Sequence, residues 1–320
     1  MFRGPNLQQD LQSLILKWRQ YKYAFTADIE KMFRQIWINR EDQNLQMILW
    51  RDNPNKKLIE YHLATISYGT KAAPFLAMMT LKRLAHDERL NFQDSSAPSV
   101  LEESFYMDDL IHGAHSIQAA TQLQTDMIKL LKAGGFHLRK WKSNSPELLE
   151  HVNITVQHQD LFDFKQVEST KALGLGWDPQ NDHFIFESKL LTKSKLTKRS
   201  LLSEISKIFD PLGWLSPLTT KLKILFQDVW RANLEWDALV PQHIYEEWYK
   251  ISQDISMISQ FRVPRWLQTQ EDDIVELHGF CDSSTKAYSC VVFCKINRCN
   301  SSSVVLVAGK TKLVPLSKKC

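Results

Sequence analysis

No uninterrupted apolar run in the 320 residues approaches the ~20 needed to span a bilayer. The amino terminus, Met1-Phe2-Arg3-Gly4-Pro5, has neither an apolar signal core nor a small-residue cleavage site. An intracellular chain is therefore expected, neither secreted nor associated with a membrane. Cysteine is absent before position 281, and all five cysteines (Cys281, Cys290, Cys294, Cys299, Cys320) crowd into the last forty residues. Their spacing fits neither a zinc ribbon nor a zinc knuckle, and an odd count in an intracellular chain reads as reduced, structural thiols. Internal repeats and low-complexity linkers are also missing. Charge of one sign is not in large excess. The net +4 permits a polyanionic partner without demonstrating one, because nucleic-acid binding works through local patches. What is there is ordinary globular composition, 43% hydrophobic and 24% charged, which excludes a disordered chain. The length suits roughly two to three domains.

The hydrophobic pattern gives an α+β order. Leu7, Leu11, Leu14, Ile15 and Trp18 recur at helical spacing, which predicts a helix over 7–21, followed by a strand over 22–29 ending in Thr26-Ala27-Asp28-Ile29. Residues 32–38 read as a turn or short helix. Two apolar runs, 46–50 and 58–63, bracket Asp52-Asn53-Pro54-Asn55, a hairpin signal. A helix over 74–90, a polar loop over 94–99, a hairpin, a helix over 117–133 stopped by Gly134-Gly135, and a strand over 136–141 follow. This order is compatible with a split βαβ sheet backed by helices. Beyond position 171 come a small hairpin (172–177 with 184–186), helices over 200–209, from Pro217 to Trp230 and over 245–260, and strands over 277–296.

One stretch is electrostatically odd. Ser104-Phe105-Tyr106-Met107-Asp108-Asp109-Leu110-Ile111 sets two adjacent carboxylates between apolar flanks. It is expected to form a tight hairpin with both carboxylates at its tip. Two carboxylates so close repel, and a divalent cation such as Mg²⁺ removes the conflict. Asp28, at the end of its own apolar strand, is the candidate third anchor. Three carboxylates at one sheet edge are what two-metal phosphoryl or nucleotidyl transfer requires. Against this stands the frequency of Asp-Asp in plain solvated turns.

Phe25-Thr26-Ala27-Asp28-Ile29-Glu30-Lys31-Met32-Phe33 together with Tyr106-Met107-Asp108-Asp109 resembles the palm of a reverse transcriptase. Ile205-Ser206-Lys207-Ile208-Phe209-Asp210-Pro211-Leu212-Gly213-Trp214-Leu215-Ser216-Pro217 is similar to the segment that follows the polymerase in BEL/Pao-type LTR retrotransposons. The resemblance extends over nearly the whole chain. It implies a palm with partial fingers over 1–160, a helical thumb or connection (the Pao-type segment) over 161–265, and the start of an RNase H-like domain over 266–320. The implied activity is RNA-directed DNA synthesis: addition of deoxynucleotides to a primer 3′-hydroxyl on an RNA or DNA template, with two Mg²⁺ ions (Mn²⁺ as a substitute). The implied partners are template-primer, dNTPs, and the protease, RNase H and integrase domains of a Pol polyprotein. The implied location is a cytoplasmic particle or the nucleus.

By the same resemblance Asp28 and Asp108 are the principal metal ligands and Asp109 the third carboxylate. Phe33 falls where the family keeps an aromatic gate against the ribose 2′-hydroxyl, although read from the pattern alone it equally suits the core. Tyr68 and Gly69, in Ser67-Tyr68-Gly69-Thr70, occupy the element that holds template and incoming base. Tyr68 stands where many reverse transcriptases carry Gln, and Gly69 allows close backbone approach. Lys140 or Lys142 matches a lysine near the triphosphate. Leu173-Gly174 resembles the primer-grip turn, and Asp282 the first carboxylate of an RNase H site. The basic stretch with Lys189, Lys193, Lys195, Lys198 and Arg199 either tracks a nucleic-acid backbone or is a solvated helix face. The upstream fingers strands and the rest of the nuclease are missing from the sequence, which suggests a piece of a longer polyprotein. Two other readings stand beside it: a catalytically silent nucleic-acid-binding relic, and an aspartic peptidase. The peptidase dyad needs Asp-Thr/Ser-Gly loops, and Asp282-Ser283-Ser284 and Asp178-Pro179-Gln180 lack that pattern.

Overall fold

The computed structural model describes residues 2–156, 170–187, 195–270, 272–298 and 301–316. The chain divides into two compact units, Met1–Asp163 and Phe164–Cys320.

The first unit is built on a four-stranded antiparallel sheet. Its strands are β1 (Tyr23–Ile29), a hairpin lying outside the sheet, β2 (Met47–Trp50) with β3 (Ile59–His62), then β4 (Phe105–Tyr106), β5 (Asp109–Ala114) and β6 (Leu138–Ser143). The sheet order is β4-β5-β1-β6. Helices α1 (Leu11–Trp18), α2 (Ala73–Asp87), α3 (Ala97–Glu103), α4 (Ile117–Ala133) and α5 (Pro146–Val156) surround it. Alternation along β1 sends Phe25, Ala27 and Ile29 into a core shared with Ala77 and Leu81 of α2 and Met127, Leu130 and Leu131 of α4. Thr26 and Asp28 alternate to the other face and stay half-buried. The Ser-Asn after β6 ties that strand to the start of β1: the Ser143 hydroxyl donates to the Ala24 carbonyl at 2.8 Å, and the Asn144 Oδ1 accepts from the Ala24 N–H at 2.8 Å.

The second unit holds a sheet of order β10-β9-β8-β7, made of β7 (Thr170–Ala172), β8 (Leu175–Asp178), β9 (His183–Ile185) and β10 (Arg262–Pro264). Helices α6 (Lys198–Ile205), α7 (Ser216–Arg231) and α8 (Gln242–Ser256) follow β9, and a three-stranded meander follows β10: β11 (Ile274–Ser283), β12 (Ala287–Arg298) and β13 (Ser301–Leu313). Trp177, Phe184 and Trp214 are buried here. Arg265, fully buried, is held by Asp182 through two 2.7 Å bonds.

The Asp210-Pro211-Leu212-Gly213-Trp214 signature has a defined structural task. Asp210 accepts from the backbone N–H groups of Trp214 and Leu215 at 2.8 Å each. The Leu212 carbonyl accepts from the Gly309 N–H at 2.7 Å, and the Trp214 indole donates to the Val307 carbonyl at 2.9 Å. The loop thereby covers the outer edge of β13, a place where open N–H and C=O groups invite aggregation. Gly213 sits at φ +70°, and a Cβ there would fall 2.0 Å from the Gly309 carbonyl oxygen.

Several expectations shift. The first helix begins at Leu11, where Asp10 caps it by accepting from the Ser13 N–H, rather than at position 7. The polar loop over 94–99 already contains the start of α3, opened by a proline in its first turn, and α5 and β13 were not anticipated. Asp109 is not at a hairpin tip. The turn consists of Met107 and Asp108, and Asp109 is the first residue of β5, paired with Tyr106. Lys198 is not a solvated charge: it is 5% exposed, donates to the Leu234 carbonyl and lies 3.6 Å from the Trp230 ring centre. Arg199 is engaged by Asp237 at 2.8 and 3.0 Å. Lys189, Lys193, Cys299 and Cys320 lie outside the described residues.

Gly213→Ala should cost about 2–4 kcal/mol through backbone strain and the clash with Gly309. Gly279→Ala, where a Cβ meets nothing within 4 Å, should stay within about 0.5 kcal/mol. Urea unfolding of both variants checks the contrast.

Candidate active site

The sheet register of the first unit assembles the candidate site. Asp28 on β1 lies directly opposite Asp109 on β5 and opposite Arg139 on β6. Directly opposed residues share a face, so Asp109, Asp28 and Arg139 form a row across three strands on the face away from the core. Asp108 occupies the second position of the β4–β5 turn. Met107, the first, adopts φ +57°, as a two-residue hairpin turn demands. The Asp108 carbonyl accepts from the Ile29 N–H at 2.9 Å, fastening the turn against the end of β1.

A register shift on β6 shapes the other side. Thr26 opposes Lys142 and Asp28 opposes Arg139, so two β6 residues span the step that one β1 residue covers. The extra residue makes a bulge in which Lys140 takes φ +53°. Its Nζ lies 3.4 Å from Asp28 Oδ2, with the lysine side chain 70% exposed. Arg139 is committed elsewhere, donating to Glu30 Oε1 at 2.7 Å. Lys142 is half-buried beside Thr26, and burial pushes its ammonium pKa down. Lys140 is thus the lysine in contact with Asp28.

Electrostatics separate the acids. Burial, then the charges of Asp108 and Asp28, push the Asp109 carboxyl up to about 6 against a weaker opposing pull from Lys140. Asp108 is also raised, chiefly by burial and then by Asp28, while a backbone N–H draws it down. Three carboxylates with one exposed lysine for compensation are chemically suited to a hard divalent cation. Among the described residues, no three His, Cys, Asp or Glu side chains are grouped so as to hold a metal ion by themselves. The trio is related by register and mutual repulsion, not by a formed cage.

Phe33 lies in a short 3₁₀ turn, Met32–Gln35, partly buried against the core. Tyr68 meets it with ring centres 5.0 Å apart and planes at 67°. Gly69 follows at φ +79°, where a Cβ would meet nothing within 4 Å, so conformation and not crowding calls for glycine. Leu173 and Gly174 form the two-residue turn between β7 and β8, at φ +54° and +84°. Asp282, exposed on β11 of the second unit, lines a cleft of about 660 Å³ with Trp214, Pro217 and Phe293. Cys281 and Cys290 face each other across β11 and β12 as free thiols. Sequence reasoning overlooked the Arg139–Glu30 pair. Its only sequence signal is a basic residue inside a short strand that follows a Gly-Gly stop.

Residues 2–176 match the family described as reverse transcriptase (RNA-dependent DNA polymerase). Residues 197–320 match the Pao retrotransposon-like RNaseH-like domain. No curated protein matches the chain. Among solved structures, the chain is similar to that of the foamy viral protease-reverse transcriptase in complex with RNA/DNA hybrid, with a TM-score of 0.57 and 11% identity over 96% of this chain. The chain spans 35% of the length of that relative. The reverse transcriptase match covers the four-stranded sheet and its carboxylate turn. The chain belongs to the reverse transcriptase (RNA-dependent DNA polymerase) family. Among the described residues no helix is long and apolar enough to cross a membrane.

The raised Asp109 pKa has a definite sign. The folded protein holds this proton more tightly than the unfolded chain. The resulting stability is full below the ordinary carboxylate value of 3.8 and is lost as pH rises through about 6. In chelator-treated protein at pH 7.5, Asp109→Asn should therefore be more stable than wild type by about 1–3 kcal/mol, with the gap closing by pH 4. Urea midpoints across pH 4–8 measure it.

Proposed function

We propose that the first unit catalyses templated nucleotidyl transfer, extending the 3′ end of a primer on an RNA or DNA template with deoxynucleotides. The observation that carries this reading is the pairing of Asp28 with Asp109 beside the Asp108 turn: like charges placed together with too little protein cation to balance them. Asp28 and Asp108 would hold two Mg²⁺ ions, with Asp109 as the third carboxylate and Mn²⁺ as a substitute. Ions bound there supply activation of the primer 3′-oxygen and stabilisation of the pyrophosphate leaving group.

The remaining roles belong to the chain's own side chains and backbone. The Ile29–Asp108 bond holds the turn at the end of β1, so the carboxylate positions are set before substrate arrives. Lys140, loosely held, is the cation free to turn toward the triphosphate and protonate or neutralise pyrophosphate. Phe33 crowds a ribose 2′-hydroxyl, and Gly69 lets backbone approach the base pair. The Leu173-Gly174 turn presents backbone to the primer end, and Asp282 supplies one carboxylate to an RNase H-type site. The partners that suit this reading are template-primer, dNTPs and the protease, RNase H and integrase domains of a Pol polyprotein.

Primer extension on poly(rA)/oligo(dT) with Mg²⁺ tests the proposal. The Asp108→Asn/Asp109→Asn double variant should lose at least about 10³-fold in rate, the scale set by removing electrostatic stabilisation of a transition state. Extension that survives the double substitution would refute the metal assignment. Tight template binding without any extension by wild type would favour a silent nucleic-acid-binding module instead. A second expectation concerns the two lysines: Lys140→Met should slow extension by about 10²-fold and Lys142→Met by less than about fivefold. Single-turnover rates separate them.

A further inference from the structure

The structure gives Tyr68 a specific partner. Its ring packs edge to face on Phe33, 5.0 Å between centres. Phe33 has the core on one side and Tyr68 on the other. The contact is fixed by backbone. The Ile66 N–H donates to the Ile36 carbonyl at 3.0 Å, and the Ile38 N–H to the Ala64 carbonyl at 2.9 Å. Trp37 and Thr65 bridge between them. The two segments bearing the rings are thus stitched together three to five residues after Phe33 and two to four residues before Tyr68. The Thr70 hydroxyl, bonded to the Ser67 carbonyl at 3.1 Å, closes the turn that carries Tyr68. The Tyr68 hydroxyl has no hydrogen-bond partner among the described residues, and the side chain is 58% exposed. Its fixed contact is therefore the ring.

We propose that Tyr68 is a positioning residue for sugar discrimination: its ring holds Phe33 in the orientation that excludes a ribose 2′-hydroxyl. This rests on the nucleotidyl-transfer reading above. The ring, not the hydroxyl, then matters.

The test uses the full chain and the ratio of kcat/KM for dATP over rATP on a DNA template-primer. Tyr68→Ala should lower the ratio about three- to tenfold, the span that loss of one aromatic pair contributes. Tyr68→Phe should keep it within about twofold. On a Phe33→Val background Tyr68→Ala should have no further effect, because the two residues act as a unit. An unchanged ratio in Tyr68→Ala, a loss in Tyr68→Phe equal to that in Tyr68→Ala, or additive effects with Phe33→Val would each overturn the proposal. If Phe33→Val leaves the wild-type ratio intact, the gate itself fails, and that outcome is separate from failure of the tyrosine's role.

Discussion

Everything at the candidate site depends on a cross-strand pair of like charges. Directly opposed carboxylates in an antiparallel ladder destabilise it, yet β1 and β5 set Asp28 against Asp109 with Asp108 one residue away. The register cannot slip to relieve the repulsion. A one-residue shift would turn Phe25, Ala27 and Ile29 out of the core and every polar neighbour in. The apolar face thus enforces an unfavourable polar face. Burial first, and this repulsion second, raise the Asp109 carboxyl to about 6, and Asp108 is raised as well, chiefly by burial. Only the part of the shift that comes from neighbouring carboxylates is one that a cation placed among them would relieve.

The second unit solves a different difficulty, a long antiparallel meander with exposed edges. β13 is covered by the Asp210–Trp214 loop, whose carbonyl and indole groups bond to it in place of another strand. The Asp210–Trp214 signature is in this light a backbone fitting. Asp210 holds the loop's shape, Gly213 permits the close approach, and Trp214 supplies a donor and a ring that stacks near Phe184.

Much of this was legible in the sequence, and the parts that were not share a cause. Period-two and period-3.6 patterns marked β1, the Gly-stopped α4 and the hairpin of β2 with β3, because each element buries one face or carries its own turn chemistry. The carboxylate trio was legible because three acids ended or interrupted apolar runs. The bulge at Lys140 was not, since nothing in Arg139-Lys140-Trp141-Lys142 announces a left-handed lysine, and so the choice between the two lysines had to wait for the register. Lys198 misled for a related reason. A lysine in a basic run reads as solvated, and only the folded chain brings Trp230 and Trp236 around it.

The two cations nearest the carboxylates divide their work through how firmly each is held. Arg139 lies in the row with Asp28 but spends its guanidinium on Glu30 at 2.7 Å, a partly buried charge-assisted bond that fixes β6 against the segment leaving β1. Lys140 reaches Asp28 at 3.4 Å with most of its side chain in solvent, and an exposed pair of this kind contributes at most about 1 kcal/mol. Exchanging the two would reverse the site's behaviour. A guanidinium locked across Asp28 would neutralise the very charge that makes the trio attractive to a cation, whereas a loosely tethered ammonium leaves that charge accessible. The bulge is what enforces the arrangement: by adding one residue to β6 between the Arg139 and Lys142 pairings, it keeps the arginine in the ladder and lifts the lysine out of it.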